Sequence, residues 1–172
     1  MDLTAVQRKF VLHWGEMGTK WGVNRTVAQV HALLFISPNP LNAEEIAATL
    51  SVARSNVSTS LRELQGWGLA KTVHKLGDRR DYFDTLKDVW EMYRIVMDER
   101  KRREIDPTIE LLRECVAEVE AGDKHTRQRL TDMLGFIETM SGWYDRLRAL
   151  PRSAYTGAAK IGRLVGMLGG KN

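Results

Sequence analysis

Two short apolar stripes, separated by a turn, restrict the fold of this chain more than any other sequence feature. The first stripe begins after Asn42, which can cap a helix, and Glu45 three residues later completes a capping-box pair. The pattern breaks at residues 51–53, and a second stripe follows with i, i+4, i+7 spacing: Val57, Leu61 and Leu64. Two helices joined by such a turn predict a helix-turn-helix, whose second helix enters the major groove of DNA.

The opposite face of the second helix carries short hydrogen-bonding side chains and arginine. A helix that is merely solvated, which is the alternative, usually carries Glu and Lys there. The residues predicted to contact DNA from this helix are Arg54, Ser55, Asn56, Ser58, Thr59 and Arg62. Arg can form a forked pair of hydrogen bonds with guanine, and Asn can do the same with adenine. The residue types therefore favour recognition of bases.

A basic hairpin is predicted directly after this helix. Gly68 is a suitable left-handed stop, residues 69–76 and 81–86 are expected to be strands, and a polar turn joins them. The hairpin residues predicted to contact DNA are Lys71, Lys75, Arg79 and Arg80. The tip can reach phosphates or the minor groove, with Asp78 pairing with a neighbouring arginine. The alternative is an exposed hairpin with a soluble tip, but its position after the helix pair favours a winged helix-turn-helix.

Helical periodicity continues on both sides of this module. Helices are predicted over residues 5–20, 26–36, 87–104, 106–119 and 124–150, and Leu41 is a candidate strand edge. Asp106 and Pro107 predict a helix start, as a cap followed by proline at the first helical position. The expected fold class is mainly α with a small β hairpin (α+β), a winged helix-turn-helix with N- and C-terminal dimerisation helices.

The last predicted helix is longer than the hydrophobic core of a single chain of this size can cover. At the rise of an α-helix it would extend about 40 Å, so a partner chain is expected to cover it. The residues predicted to pair in a homodimer are Phe10, Met133, Ile137, Met140, Tyr144 and Leu147. Packing within one chain is the alternative. The predicted domains are an N-terminal helix (1–25), a DNA-binding domain (26–86), a helical dimerisation region (87–150) and a basic, Gly-rich flexible tail (151–172).

Composition predicts a cytoplasmic protein without a membrane partner. No apolar run is long enough to span a bilayer, the first residues lack the features of a signal peptide, and Cys115 is the single cysteine. The formal net charge is +4, and residues 151–172 alone carry four Lys/Arg and no acidic residue. The prediction of DNA binding therefore depends on where the charges lie and not on their sum.

Enzyme chemistry, metal binding and cofactor binding are not expected. The four histidines are scattered, without the HxxxH or CxxC spacing of a metal site. There is no glycine-rich phosphate loop and no Gly-x-Ser-x-Gly elbow. Cys115 lies beside an apolar stripe, where a core position is the expected role rather than redox sensing.

Several motifs resemble the MarR superfamily of bacterial repressors, with GbsR-type regulators as the most similar branch. They are residues 54–58 (RSNVS), 61–64 (LREL), 67–69 (WGL), 77–83 (GDRRDYF), 90–92 (WEM) and 99–107 (ERKRREIDP). The likeness covers roughly residues 5 to 150. It implies a cytoplasmic, homodimeric, ligand-responsive transcription factor. Departures occur at Ala53, where relatives often place a capping Ser or Thr, and at Ser51, where many have Gly.

The resemblance also implies an effector. GbsR-type relatives are associated with compatible-solute metabolism, which suggests a small quaternary ammonium ligand such as choline. Such a cation requires an enclosure of aromatic rings. The candidate residues are Trp14, Trp21, Trp90 and Tyr93, although core packing is the usual role of aromatic residues at helical spacing.

Two classes of function remain open. The first is a sequence-specific regulator of transcription, expected to be a repressor, which binds two half-sites about 34 Å apart as a homodimer on double-stranded DNA. The second is a winged-helix module that contacts proteins or binds DNA without sequence preference. Arg62 and the small polar face favour the first class, because base contacts provide specificity.

Overall fold

The structure is a computed structural model that describes residues 2–150. It forms two compact units, which divide between Glu99 and Arg100. The first unit contains α1 (Ala5–Lys20), α2 (Arg25–Ile36), β1 (Leu41–Asn42), α3 (Ala43–Leu50), α4 (Arg54–Gly66), β2 (Ala70–Val73), β3 (Tyr82–Thr85) and α5 (Val89–Arg100), whose last residue begins the second. The second continues with a π-helical stretch (Lys101–Ile105), α6 (Asp106–Glu118) and α7 (Lys124–Arg148). The predicted fold class, mainly helical with a small β-sheet, is confirmed.

Helix α1 packs closely on α2 because two of its buried positions are glycine. A Cβ built on Gly18 would lie 2.4 Å from the Cβ of Ala28, and one built on Gly15 would lie 2.6 Å from the Cγ of Gln29. Val11 on the same helix is buried in the core that α2, α3 and α4 share. The N-terminal helix is therefore part of the first unit's core, and its predicted role in dimerisation stays a prediction.

The close approach of α1 and α2 makes Gly18 sensitive to a single added methyl group. Gly18→Ala should lower the free energy of unfolding by about 1–2 kcal/mol, because overpacking outweighs the gain in helix propensity. Urea unfolding at constant m-value measures the change.

Gly66→Ala in α4 is the matched control, because a Cβ there meets no atom within 4 Å. It should leave stability unchanged or raise it by up to about 1 kcal/mol. Combining Gly18→Ala with Ala28→Gly removes the clash, so the double variant should lose less than the sum of the two single variants. Equal stability of Gly18→Ala and Gly66→Ala would contradict the close packing.

The helix-turn-helix forms as the capping pattern predicts. The Asn42 side chain accepts from the backbone N–H of Glu45 at 2.9 Å, and the Glu45 carboxylate accepts from that of Asn42 at 2.8 Å. Ser51 takes the left-handed conformation, with φ 54°, which ends α3. Within residues 2–150, Ala53, where relatives often place a capping Ser or Thr, gives α4 no side-chain cap hydrogen bond. The stripe of α4 is buried as expected: Val57, Leu61 and Leu64.

The wing is a three-stranded antiparallel sheet in the order β1-β3-β2. Leu41, predicted as a strand edge, pairs with Phe83, and Thr72 pairs with Phe83 from the other side. The two hairpin strands are shorter than predicted, with four residues each. Between them, Gly77 takes a left-handed conformation with φ +81°.

The predicted helix start at Lys87 is wrong, because α5 begins only at Val89, after the cap residue Asp88. The Lys87 side chain binds the end of α2. Its ammonium group donates to the carbonyl of Leu34 at 2.6 Å and to that of Ser37 at 3.2 Å, and it lies 3.3 Å from Asp84. Asp88 then caps α5, accepting from the backbone N–H of Trp90 at 3.0 Å. Lys87 therefore holds the exit of the wing against α2.

The predicted start of α6 at Asp106 is confirmed, with Pro107 in its first turn, but the predicted capping role of Asp106 is wrong, because the backbone is helical on both sides of it. The N–H of Asp106 donates to the carbonyl of Lys101, the five-residue spacing of a π-helix. The Asp106 carboxylate accepts from the Lys101 ammonium at 2.7 Å and caps no helix. In a regular α-helix the ring of Pro107 would clash with the carbonyl four residues earlier, and the wider turn relieves that clash.

In the second unit, α6 packs against α7, and none of the residues of α7 is fully buried. One side of α7 is half-buried, and it includes Ile137 and Tyr144. Another side is exposed and apolar at alternating spacings of three and four residues, as in a coiled-coil seam. We call this set the α7 stripe: Met133, Phe136, Met140, Trp143 and Leu147.

The tail predicted over residues 151–172 lies outside the described residues. Among residues 2–150, no helix combines the length and the apolar character that crossing a membrane requires.

Candidate nucleic-acid interface

The polar face of α4 is open to solvent. Its predicted DNA contacts are exposed, apart from Ser58, which is half-buried: Arg54, Ser55, Asn56, Ser58, Thr59 and Arg62. Arg62 Nη2 donates to the Thr59 hydroxyl at 3.3 Å, so this arginine is only weakly held. The face is therefore available to a ligand as large as a duplex.

Arg54 has a partner that the sequence analysis did not identify. Its Nε donates to the carboxylate of Glu44, on α3, at 2.9 Å, and its Nη1 donates to the Ser58 hydroxyl. The hydrogen bond from Arg54 lowers the pKa of the Glu44 carboxyl. Glu44 thus brings a negative charge to the N-terminal end of α4 and orients Arg54 across its first turn.

The wing contains a clamp centred on Asp78. Its carboxylate accepts from the Arg80 side chain at 2.6 Å from Nη2 and at 3.0 Å from Nε, and also from the Arg80 backbone N–H at 3.0 Å. The Tyr82 hydroxyl donates to the same carboxylate at 2.8 Å. The predicted pairing of Asp78 with a neighbouring arginine is confirmed, and Arg80 is that arginine. We call Asp78, Arg80 and Tyr82 the wing clamp.

The clamp shifts the titration of all three of its members. Hydrogen bonds from Arg80 hold the pKa of Asp78 well below its usual range, and the same pair raises the pKa of Arg80. The hydrogen bond to Asp78 also raises the pKa of the Tyr82 phenol. Because a depressed carboxyl pKa keeps the charged form when pH falls through the ordinary range, Asp78 stays ionised and the clamp persists at mildly acidic pH.

Helix α4 and the wing meet in one cleft with a volume of about 280 Å³. Arg54 and Arg62 line it from α4, and Arg80 lines it from the wing. The floor is apolar, with Leu61 and Phe83. Three arginines therefore line a single exposed cleft, which also contains Glu44 and Asp81. Arginine side chains can bind the phosphates of a polyanion such as the DNA backbone.

The other wing residues lie around this surface. Lys71 and Arg79 are exposed. Lys75 places its ammonium nitrogen 3.5 Å from the centroid of the Tyr82 ring, a cation–π contact. Gln65, which the sequence analysis missed, donates to the Thr72 hydroxyl at 2.9 Å and ties α4 to β2. Two residues on different elements form this bond, so the sequence pattern held no signal for it.

The wing clamp predicts a change in DNA affinity opposite to the one expected from net charge alone. Asp78→Ala removes a negative charge from the predicted DNA-binding surface, yet it should weaken DNA binding by about fivefold, because Arg80 loses the acceptor that orients it. Fluorescence anisotropy titration with the operator duplex at fixed salt measures the change.

Asp81→Ala is the matched control, because Asp81 lines the same cleft and pairs only with His74, at 3.6 Å, among the interactions of the described residues. That variant removes the same charge without touching the clamp, so its affinity should stay equal or rise. If Asp78→Ala bound as tightly as Asp81→Ala, Arg80 would not depend on the clamp.

The aromatic residues predicted as a ligand site fall into two pairs. On α1 and at its end, the rings of Trp14 and Trp21 lie 5.7 Å apart, edge to face at 84°. Phe10 lies 5.4 Å from Trp14 and packs against the core, so this residue of the predicted dimer set already contacts its own chain. Trp90 and Tyr93 are exposed on α5.

Comparison with known proteins finds relatives over most of the chain. The model of the MarR family matches residues 21–81, which extend from before α2 to the wing turn. The HTH-type transcriptional repressor GbsR of Bacillus subtilis (strain 168) is 20% identical over 143 residues, covering 80% of this chain and 79% of the relative. A solved crystal structure of a transcriptional regulator shares the fold with a TM-score of 0.67 at 20% identity, covering 88% of this chain and 98% of the other.

Proposed function

We propose that this chain is a transcriptional regulator that binds double-stranded DNA as a homodimer, because residues 21–81 match the model of the MarR family. The observation that carries the proposal is the convergence of Arg54, Arg62 and Arg80 on one exposed cleft. Likeness to a repressor over 80% of the chain favours repression as the sign of regulation. A regulator of this kind is not an enzyme, and it acts in the cytoplasm.

Helix α4 contacts base edges, and the wing contacts the DNA beside them. In the major groove, Arg62 forms two hydrogen bonds with guanine and Asn56 forms two with adenine. The hydroxyl groups of Ser55 and Ser58 make further contacts. The residues that hold phosphates are Thr59, Lys71 and Lys75. Arg79 and the clamped Arg80 reach the minor groove, whose negative potential attracts guanidinium groups.

A second copy of the chain covers the α7 stripe. The α7 stripe has coiled-coil spacing and stays exposed in a single chain, and burial of its side chains would supply the energy of association. Three residues of the α7 stripe were predicted from the sequence as dimer contacts: Met133, Met140 and Leu147. The other two predicted contacts on α7, Ile137 and Tyr144, are half-buried, and the α7 stripe has Phe136 and Trp143 in their place. Val6 and Leu12 are the exposed apolar residues of α1 available for the same purpose.

The symmetry of a homodimer determines its operator. Two copies of α4 enter successive major grooves on one side of the duplex, so the half-sites lie about 34 Å apart and form an inverted repeat. Each copy alone binds weakly, and the pair binds tightly because the second contact is intramolecular.

A small quaternary ammonium compound such as choline is the effector that we propose. Trp14 and Trp21 place two aromatic rings 5.7 Å apart, and Trp21 is about half exposed at 49%. Ring faces attract a cation that cannot donate hydrogen bonds. Binding would favour one spacing of the two copies of α4 over another.

Calorimetric titration with choline and glycine betaine tests the effector, with tryptophan fluorescence as the second readout. Trp21→Ala should abolish the heat, whereas Trp90→Ala should leave it unchanged. If the wild-type protein gives no heat and no quenching at millimolar ligand, the proposed effector is wrong.

Selection of bound sequences from a random duplex library tests the function itself. An enriched inverted repeat, bound at least about 10³-fold more tightly than random duplex at a stated salt concentration, is the expected result. A ratio near one would instead indicate a module that binds DNA without sequence preference. Absence of any DNA binding would indicate a module for protein contacts.

A further inference from the structure

The wing turn presents an apolar side chain at its tip. Leu76 is the most exposed large hydrophobic residue among residues 2–150, at 108% of the reference area. The N–H of Asp78 donates to the carbonyl of Lys75 at 3.1 Å, and Gly77 has φ +81°. A positive φ at the third position fits a type II turn, which places Leu76 at the first corner.

This turn is held from both sides by Tyr82. The Lys75 ammonium lies 3.5 Å from the centroid of the Tyr82 ring, and the Tyr82 hydroxyl donates to Asp78 at 2.8 Å. Tyr82 itself is buried in β3, where it pairs with Asn42 and Val73. A turn tied in this way to the sheet has little conformational freedom to lose on binding, so Leu76 is a preorganised contact.

Positive charge surrounds Leu76. Lys75 precedes it and Arg79 follows the turn, while the charge of Asp78 is neutralised by Arg80 at 2.6 Å. An apolar tip flanked by cations is complementary to a groove that has apolar walls and a negative electrostatic potential. The minor groove of A·T-rich DNA has both properties, and minor-groove proteins use leucine among the apolar residues that they insert there.

We propose that Leu76 enters the minor groove beside each half-site and selects A·T base pairs at that position. This inference rests on the proposed function, because it assumes that α4 docks in the adjacent major groove. Guanine projects its 2-amino group into the minor groove and adenine does not, so a G·C pair fills the space that the leucine methyl groups need. Leu76 thereby adds sequence preference outside the bases that α4 reads.

The test uses operator duplexes in which 2,6-diaminopurine replaces adenine under the wing, at positions located by hydroxyl-radical footprinting. This base adds an amino group to the minor groove and leaves the major-groove edge of adenine unchanged. Wild-type affinity should fall by about tenfold on the substituted duplex. Leu76→Ala should bind the unsubstituted operator about fivefold more weakly than wild type and lose less than twofold on substitution.

Two further variants separate Leu76 from general effects. Leu111→Ala, at an exposed apolar residue of α6 that lies outside α4, the wing and the α7 stripe, should behave as wild type. Arg79→Ala should lower the salt dependence of binding, which Leu76→Ala should leave unchanged because it removes no charge. If Leu76→Ala retained the full tenfold response to diaminopurine, this inference would be overturned while the proposed function stood. If the wild-type protein bound operator and random duplexes equally, the proposed function would be contradicted, and this inference, which rests on it, would be contradicted as well.

Discussion

Arg62→Ala is expected to weaken operator binding by about 10- to 100-fold, which corresponds to the loss of one forked contact with a base. It should also flatten the sequence preference at one position of each half-site. Arg62 is exposed on the outward face of α4 and lines the cleft shared with the wing. Within residues 2–150 it is held only by a long hydrogen bond to Thr59. The side chain can therefore reorient towards a base at little cost.

Two other variants separate the loss of charge from the loss of geometry. Arg62→Lys keeps the charge but cannot form the planar fork, so it should retain the salt dependence and lose the base preference. Arg80→Ala should weaken all sequences alike and reduce the salt slope by about one. Arg113→Ala, an exposed arginine on α6, should change neither property. If Arg62→Ala kept both affinity and preference, the docking of α4 in the major groove would be wrong.

Met140→Glu is expected to convert the homodimer into a monomer and to reduce operator affinity by about 10²- to 10⁴-fold, because both half-sites are no longer bound together. Met140 lies in the middle of the α7 stripe, where a carboxylate would have to be buried between the two copies. Size-exclusion chromatography with light scattering measures the mass, and anisotropy titration measures the affinity.

The same helix offers a matched control. Thr131 is exposed on α7 and lies away from the α7 stripe, so Thr131→Glu adds the same charge and should leave the dimer intact. Circular dichroism should give the same helix content for both variants, since Met140 is exposed in the single chain. A wild-type protein that is a monomer at micromolar concentration, or a dimeric Met140→Glu, would contradict the α7 interface.

The sequence alone determined the features that depend on neighbouring residues. Asn42 and Glu45 form their capping box within one helical turn, and Asp78 pairs with Arg80 two residues away. Such bonds are set by local spacing and by the residue types, so a pattern is enough to predict them. The same reasoning identified the buried side of α4 and its polar face. The motifs also showed the resemblance to the MarR superfamily, which the match of the family model supports.

Only the tertiary structure decided which distant groups meet and which apolar side of a helix stays exposed. Glu44 reaches Arg54 from α3, ten residues away, and Lys87 reaches the carbonyl of Leu34 across 53 residues of sequence. Periodicity marks α7 as apolar over a wide arc, and the sequence analysis placed Ile137 in the dimer set while it left out Trp143. Packing of α6 with α7 leaves Ile137 half-buried and Trp143 exposed, because burial depends on the neighbours that the folded chain supplies.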